Sequence, residues 1–159
     1  MLIVLIAAVG VCGYSYLSLN KIVRDAIVKY VPMVIKTSVE VSSVRILPLA
    51  GSGTIRGLKI GNPPGMNAKY AFEAQKIAVR LQPKSLLNHR VQIDLIEVAD
   101  VVINYEGIGG KNNFNQIQRN TQRFSQNMFG ENQKKSGPPK QVVIKELSMK
   151  NVNVAAVGV

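Results

Sequence analysis

Beyond residue 37, outside one helical stretch, apolar and polar positions alternate at period two, with one irregularity that recurs. The phrase Ile55-x-x-Leu58-x-Ile60-x-Asn62 returns as Ile93-x-x-Ile96-x-Val98-x-Asp100 and as Ile144-x-x-Leu147-x-Met149-x-Asn151, starting 38 and 89 residues after the first copy. The last apolar pair of each copy alternates as a half-buried strand does, and the Asn or Asp marks a strand end or turn. Two positions rather than one separate the first apolar residue from the second. That is the spacing a β-bulge produces when both apolar sets face one side. The phrase reads either as a repeated β unit or as three amphipathic strands that share a pattern.

The same pattern places the other elements. Val39, Val41, Val44 and Ile46 predict a first strand ended by Pro48, and Thr54 to Ile60 a second, stopped by Asn62-Pro63-Pro64-Gly65. Ile77, Val79 and Leu81 alternate cleanly with Lys76, Ala78 and Arg80, and Gln82-Pro83 ends that strand; Lys84 to Leu87 reads as a turn or one helical turn. Val91 to Val98 and Val101 to Tyr105 continue the meander. Short strands with short connections predict antiparallel pairing, and one apolar face per strand predicts a sheet covered or occupied on one side only. After Gly107, Gly109 and Gly110, Asn112 is placed to cap a helix over 112–128, in which Phe114, Ile117, Thr121, Phe124 and Met128 form one stripe and Gly130 is the stop. This helix is expected to pack across one end or face of the sheet. A polar, Pro-containing linker over 131–140 follows, strand pattern resumes at Gln141, and Val152 to Val159 reads as an edge strand that is unfinished or begins something longer.

The first 36 residues are patterned differently. Met1 to Leu19 carries no charge, and as a helix it spans roughly 28 Å, close to the ~30 Å hydrocarbon core of a bilayer. Tyr14 and Tyr16 sit near its carboxyl end and Lys21 and Arg24 follow, as at a lipid-water interface. A cleaved signal peptide would want a basic start and a shorter apolar core, so the segment is expected to stay attached as a transmembrane helix. Residues 20–36 read as an amphipathic juxtamembrane helix carrying Ile22, Ala26, Ile27, Tyr30, Val31 and Val34, which Pro32 should kink or end. It can lie along anionic lipid or pack its apolar stripe on the following domain. Lys21, Arg24, Lys29 and Lys36 all follow the span, so the positive-inside rule alone would put the rest of the chain in the cytoplasm.

Composition narrows the chemistry. Twenty Lys and Arg against nine Asp and Glu give a net charge of +11, which favours an anionic neighbour. The cations are spread singly along predicted strands and loops without aromatic platforms between them, so nucleic acid is not expected as a partner. His89 is the only histidine and reads as a surface residue, and Cys12, the only cysteine, lies in the apolar segment. No metal cluster, nucleophile-base pair or cofactor loop is legible, and no enzyme activity or cofactor is expected. Asp94, Glu97 and Asp100 are close in sequence but are not placed as a catalytic pair. Gly51-x-Gly53 with Gly57 is followed by a strand, not by the helix amino terminus that a phosphate loop needs.

The order of these motifs resembles the amino-terminal region of the AsmA-like family of bacterial envelope proteins. The segments that carry the likeness are GSGTIRGLKIGNPPG (51–65), KYAFEAQKIAVRLQPKSLL (69–87), VQIDLIEVADVVINYE (91–106) and NNFNQIQRN (112–120), after an amino-terminal span and a short helix. The most specific parts are Leu58-x-Ile60-x-Asn62-Pro63 with Gly65, and Ser85-Leu86-Leu87 followed by paired strands. The resemblance covers about residues 1–155. It implies an inner-membrane protein, single-pass, with its β domain in the periplasm and an apolar groove similar to that of bridge-like lipid-transfer proteins. At this length the expectation is a short member, a fragment or a subunit. The fold class expected is α+β: a transmembrane helix, then a curved, mainly antiparallel sheet with one amphipathic helix packed on it. Ile77, Val79, Leu81, Ile93, Ile96, Val98 and Ile103 are expected to share one apolar face, either a groove for phospholipid acyl chains or a dry core against the 112–128 helix. Phospholipid and the membrane are the expected partners. The alternative function is an accessory scaffold subunit of a larger inner-membrane complex, holding protein partners by its span and open edge strand.

Overall fold

The computed structural model describes residues 2–108, 110–129 and 141–158; side chains are described from Ser18 onward, except at 108, 128–129 and 157–158. It is α+β, two helices against one mixed, mostly antiparallel sheet. The first helix, α1 (Leu2–Ile35), is continuous through Pro32. Pro32, expected to kink or end the juxtamembrane helix, lies inside it without ending it, and the two expected segments form one helix. The helix stops four residues later, where Lys36 takes a left-handed conformation (φ 59°) and its N–H bonds the Pro32 carbonyl at 2.9 Å. The expected 1–19 span forms the first half of α1. Among the described residues no helix is long and apolar enough to cross a membrane, and the crossing rests on the uncharged sequence alone. The second half behaves as the packing alternative required: Val23, Ile27, Val31, Val34 and Ile35 lie on Val39, Val41 and Val44 of the sheet.

Eight strands follow: β1 (Val39–Glu40), β2 (Ser43–Leu47), β3 (Ser52–Gly61), β4 (Tyr70–Leu81), β5 (Arg90–Ile108), β6 (Lys111–Asn112), β7 (Gln141–Ile144) and β8 (Leu147–Gly158). A 3-10 turn at Pro83–Leu87 joins β4 to β5. β1 and β2 pair with β3, then β3 with β4 and β4 with β5, all antiparallel. The carboxyl-terminal strands depart from the expected meander, because β7 and β8 pair with β5 in parallel. A parallel partner needs a crossover. The chain between β6 and β7 supplies it, beginning with the second helix, α2 (Asn113–Phe129). The linker expected at 131–140 and the stop at Gly130 lie outside the described residues.

The recurring phrase now has a structural meaning. Its second and third copies lie side by side in register, Ile93 beside Ile144, Ile96 beside Leu147 and Val98 beside Met149. The β4–β5 register shifts between Arg80 and Leu81, where the bulge was expected, and β7 breaks from β8 at the same level. The first copy is displaced, since Ile55 is level with Ile77 and Val98, five residues beyond Ile93. What β3, β5 and β8 share at one level is a left-handed residue within the strand: Gly57 (φ 61°), Asp100 (φ 54°) and Asn151 (φ 51°). These are the residue types that enter that conformation most readily. Each reverses the alternation, so that apolar residues three apart, Ile55 and Leu58, Val98 and Val101, Met149 and Val152, occupy one face. At Gly57 a Cβ would stand 2.2 Å from the Ser42 Oγ of the adjoining strand segment, so glycine serves both conformation and space there. The result is a crease across the sheet. β5, expected as two strands, is one strand of 19 residues with the left-handed Asp100 inside it.

A polar latch ties the far end of the sheet to α2. Asn113 is fully buried. Its Nδ2 donates to Asn62 Oδ1 (2.7 Å) and to the Asn104 carbonyl (2.6 Å), and its Oδ1 accepts from the Glu106 and Phe114 N–H groups (3.2 and 3.0 Å). Asn112 caps the helix as expected, accepting from the Asn115 N–H at 2.8 Å. Beside it the buried Glu106 carboxylate accepts from the Asn67 and Ala68 N–H groups at 2.5 and 3.0 Å, fixing the loop that follows Asn62. Those backbone donors hold its carboxyl below the usual glutamate range. A depressed folded-state value means stability that is present at neutral pH and is lost as pH falls through that value. Acidification below the ordinary carboxylate range is therefore expected to lower the protection of the Asn67 and Ala68 amides relative to their intrinsic exchange rates. Exchange there that keeps to the pH trend of unbonded amides would show that the carboxylate does not hold the loop.

Candidate functional site

The register builds apolar rows that run across the whole sheet. Val44, Ile55, Ile77, Val98 and Met149 form one, and Val39, Ile60, Phe72, Ile103 and Val154 another. Leu58, Ala74, Val101 and Val152 lie between them at the crease, and Val79, Ile96 and Leu147 on the other side. Directly paired residues share a face. All seven expected residues are thereby on one face: Ile77 pairs with Val98, Val79 with Ile96 and Leu81 with Ile93, while Ile103 pairs with Phe72.

What covers this face changes across its width. Over β1, β2 and β3 it is roofed by α1 and by Ile117 of α2. Over β4, β5, β7 and β8 no described helix lies on it, and the expected dry core against the 112–128 helix is corrected. α2 instead packs on α1, where Asn120 Nδ2 donates to the Ile35 carbonyl at 2.9 Å, and on the far end of β5, where Phe114 stacks against Tyr105 at 6.4 Å between ring centroids. Val98 is buried and the other six expected residues are half-buried. Exposure rises toward the last strand, to 64% at Leu147 and 59% at Val154. At the crease it falls to 1% at Val101, although the apolar side chains packed on that cluster all come from β4 and β5. The open apolar strip over β4, β5, β7 and β8, bordered on one side by the helices, is here called the trough.

The opposite face is polar and stitched by charge. Lys59 pairs with Glu73 (3.4 Å), Glu97 with Lys150 (2.5 Å) and Lys76 (3.9 Å), and Asp94 with Lys145 (2.6 Å), while Asn151 donates to Asp100 at 2.9 Å. The Lys145 ammonium, with Gln82, holds the Asp94 carboxyl low, and Lys150, with Lys76, does the same for Glu97. These three acids, close in sequence, thus each meet a partner across the parallel pairing with β7 and β8. His89 is exposed, and its carbonyl accepts from the Gln141 N–H at 2.7 Å where β7 begins. Among the described residues no group of His, Cys, Asp and Glu is arranged to hold a metal ion.

Sequence reasoning missed Phe72, Ala74 and Val101 on the apolar face, because the alternation slips at Gln75 in β4 and at the left-handed Asp100 in β5. It also missed the latch. The signal for it was present in Asn62-Pro63 and Asn112-Asn113-Phe114, which looked like separate turn and cap motifs. The chain matches no protein-family model, no curated protein and no solved structure.

Proposed function

We propose that the protein is a membrane-anchored, AsmA-like envelope protein whose trough takes the acyl chains of phospholipid, in lipid transport or envelope maintenance. The observation that carries this reading is the uncovered apolar face over β4, β5, β7 and β8, continuous with rows that are roofed elsewhere. Apolar surface left in water costs about 25 cal/mol per Å², and acyl chains laid along the trough remove it without a polar partner. The uncharged Met1–Leu19 segment supports a single membrane crossing, and the family resemblance supports a periplasmic sheet domain in a bacterial inner membrane.

A second reading has its own observation. Among the described residues, β8 pairs with no strand on its outer side. A free edge of that kind accepts a strand from a partner, which supports an accessory scaffold subunit of an inner-membrane complex. A native mass spectrum of the gently extracted protein separates the two. Retained phospholipid is the expected result, whereas a stoichiometric protein partner without lipid would favour the scaffold. In the same cells, a Lys69→Cys variant with Cys12 replaced is expected to react with an impermeant maleimide on spheroplasts. Reaction only after lysis would place the domain in the cytoplasm.

A further inference from the structure

Two turns meet at one end of the sheet, and both present leucines to solvent. Leu47, the last residue of β2, is exposed, and Leu49 in the turn that follows is 88% exposed; in the 3-10 turn after β4, Leu86 is exposed and Leu87 is 90% exposed. The turns are built against each other. The Leu81 N–H donates to the Gly51 carbonyl at 2.8 Å, and a Cβ on Gly51 would stand 2.1 Å from the Leu81 carbonyl and 2.8 Å from the Pro83 ring. Gly51 also has φ 62°, so this close approach requires glycine twice over. Neither turn contains an acid; Lys84 lies in the second and Arg90 follows it, while Asp94, which accepts from the Gln82 side chain at the start of that turn, is paired with Lys145.

Their level relative to α1 is fixed by two hydrogen bonds. Asn20 Oδ1 accepts from the Ile46 N–H at 2.7 Å, and Arg24 Nε donates to the Val41 carbonyl at 2.9 Å. α1 therefore runs antiparallel to β2, and its residues before Asn20 extend past the end of the sheet that carries these turns. Leu19 is the last residue of the uncharged segment, so the level at which α1 would leave a bilayer is the level of the leucine tips.

We propose that these two turns form a membrane-contacting foot, with Leu49 and Leu87 seated in the interfacial layer of the phospholipid bilayer that α1 crosses, and Lys84 and Arg90 among its anionic headgroups. The occupant is identified by chemistry: large exposed aliphatic side chains, in turns that contain no acid and with Lys84 and Arg90 in or next to the second, suit an interface of acyl chains below phosphates. Two anchors then fix the sheet upright, and the trough opens at its foot toward the lipid. The inference rests on the membrane-anchored reading, and its test separates the two. The full chain is reconstituted into vesicles of phosphatidylethanolamine and phosphatidylglycerol containing doxyl-labelled phospholipid. An environment-sensitive fluorophore is placed on native Cys12, on Leu87→Cys or Leu49→Cys with Cys12 replaced by serine, and on Lys69→Cys with the same replacement. Strong quenching at Cys12 and at both tip sites, with several-fold less at Lys69→Cys, is the expected result. Quenching at Cys12 with none at either tip overturns the foot and leaves the anchor standing. Equal quenching at the tips and at Lys69→Cys also overturns the foot, because the domain then lies flat. No quenching at Cys12 overturns the anchor, and the foot with it.

Discussion

Replacing Val101 by aspartate is expected to unfold the sheet domain, whereas the same change at Val79 is expected to leave it folded and strip it of lipid. The two valines lie on one face but in different surroundings. Val101 sits at the crease, 1% exposed, among Ala74, Val98 and their apolar neighbours. A carboxylate there must lose its hydration or hold a proton, at a cost on the order of several kcal/mol, out of a stability that is about 5–15 kcal/mol for an ordinary domain. Val79 is half-buried and pairs on one side with Gly53, which has no side chain to enclose it. An aspartate there reaches water from the open trough. Circular dichroism melts of both variants, with phospholipid assayed in the purified protein, check the pair. A folded Val101→Asp protein would mean that the crease does not shelter its residues. A Val79→Asp protein that keeps its fold and its lipid would remove the trough as the acyl-chain site.

Asn113→Leu is expected to be the most damaging polar-to-apolar change in the domain. The side chain uses both donors and both lone pairs, and its loss strands the Glu106 and Phe114 N–H groups together with Asn62 Oδ1 and the Asn104 carbonyl. Each buried group left without a partner costs about 1–3 kcal/mol, and even with water entering at some of them the net loss should be on the order of 3 kcal/mol. Urea denaturation reads this as a lower midpoint with an unchanged slope. Asn113→Asp should recover nothing, since it restores the acceptors, removes the donors and sets a negative charge beside Glu106. An unchanged midpoint for Asn113→Leu would show that the latch does not hold the domain together.

Local alternation was enough to locate most strand segments and to group Ile77, Val79 and Leu81, because period two is a property of the strand itself; Ile93 and Ile103 share the face of Ile96 and Val98 through the slip after Ile93 and the left-handed Asp100. Alternation could not reveal that β7 and β8 run parallel to β5. That pairing joins residues distant in the chain, among them Lys150 with Glu97 and Asn151 with Asp100, which are 53 and 51 residues apart. Asp100 and Asn151 looked like turn residues and are instead left-handed positions inside long strands, since the same conformational tolerance serves both. Pro32 suggested a helix end because its missing N–H breaks one bond. The apolar stripe of α1 on β1 and β2 outweighs that loss. The stripe of α2 was legible, but which surface it meets was not, because Ile117 and Phe114 fit α1 and Tyr105 as well as they would have fitted the trough.

The two outer margins of the sheet are not alike, and this limits how copies could ever assemble. On the β2 side the Ile46 N–H and the Val41 carbonyl are already taken by Asn20 and Arg24 of α1, while on the β8 side no described strand pairs. A molecule with one capped margin and one sticky margin cannot stack head to tail, which is how open-ended filaments grow. Self-association through strands would stop at two molecules, joined sticky margin to sticky margin about a twofold axis. The side chains of Asn20 and Arg24 thus act as a stopper against fibre growth, as well as seating a helix.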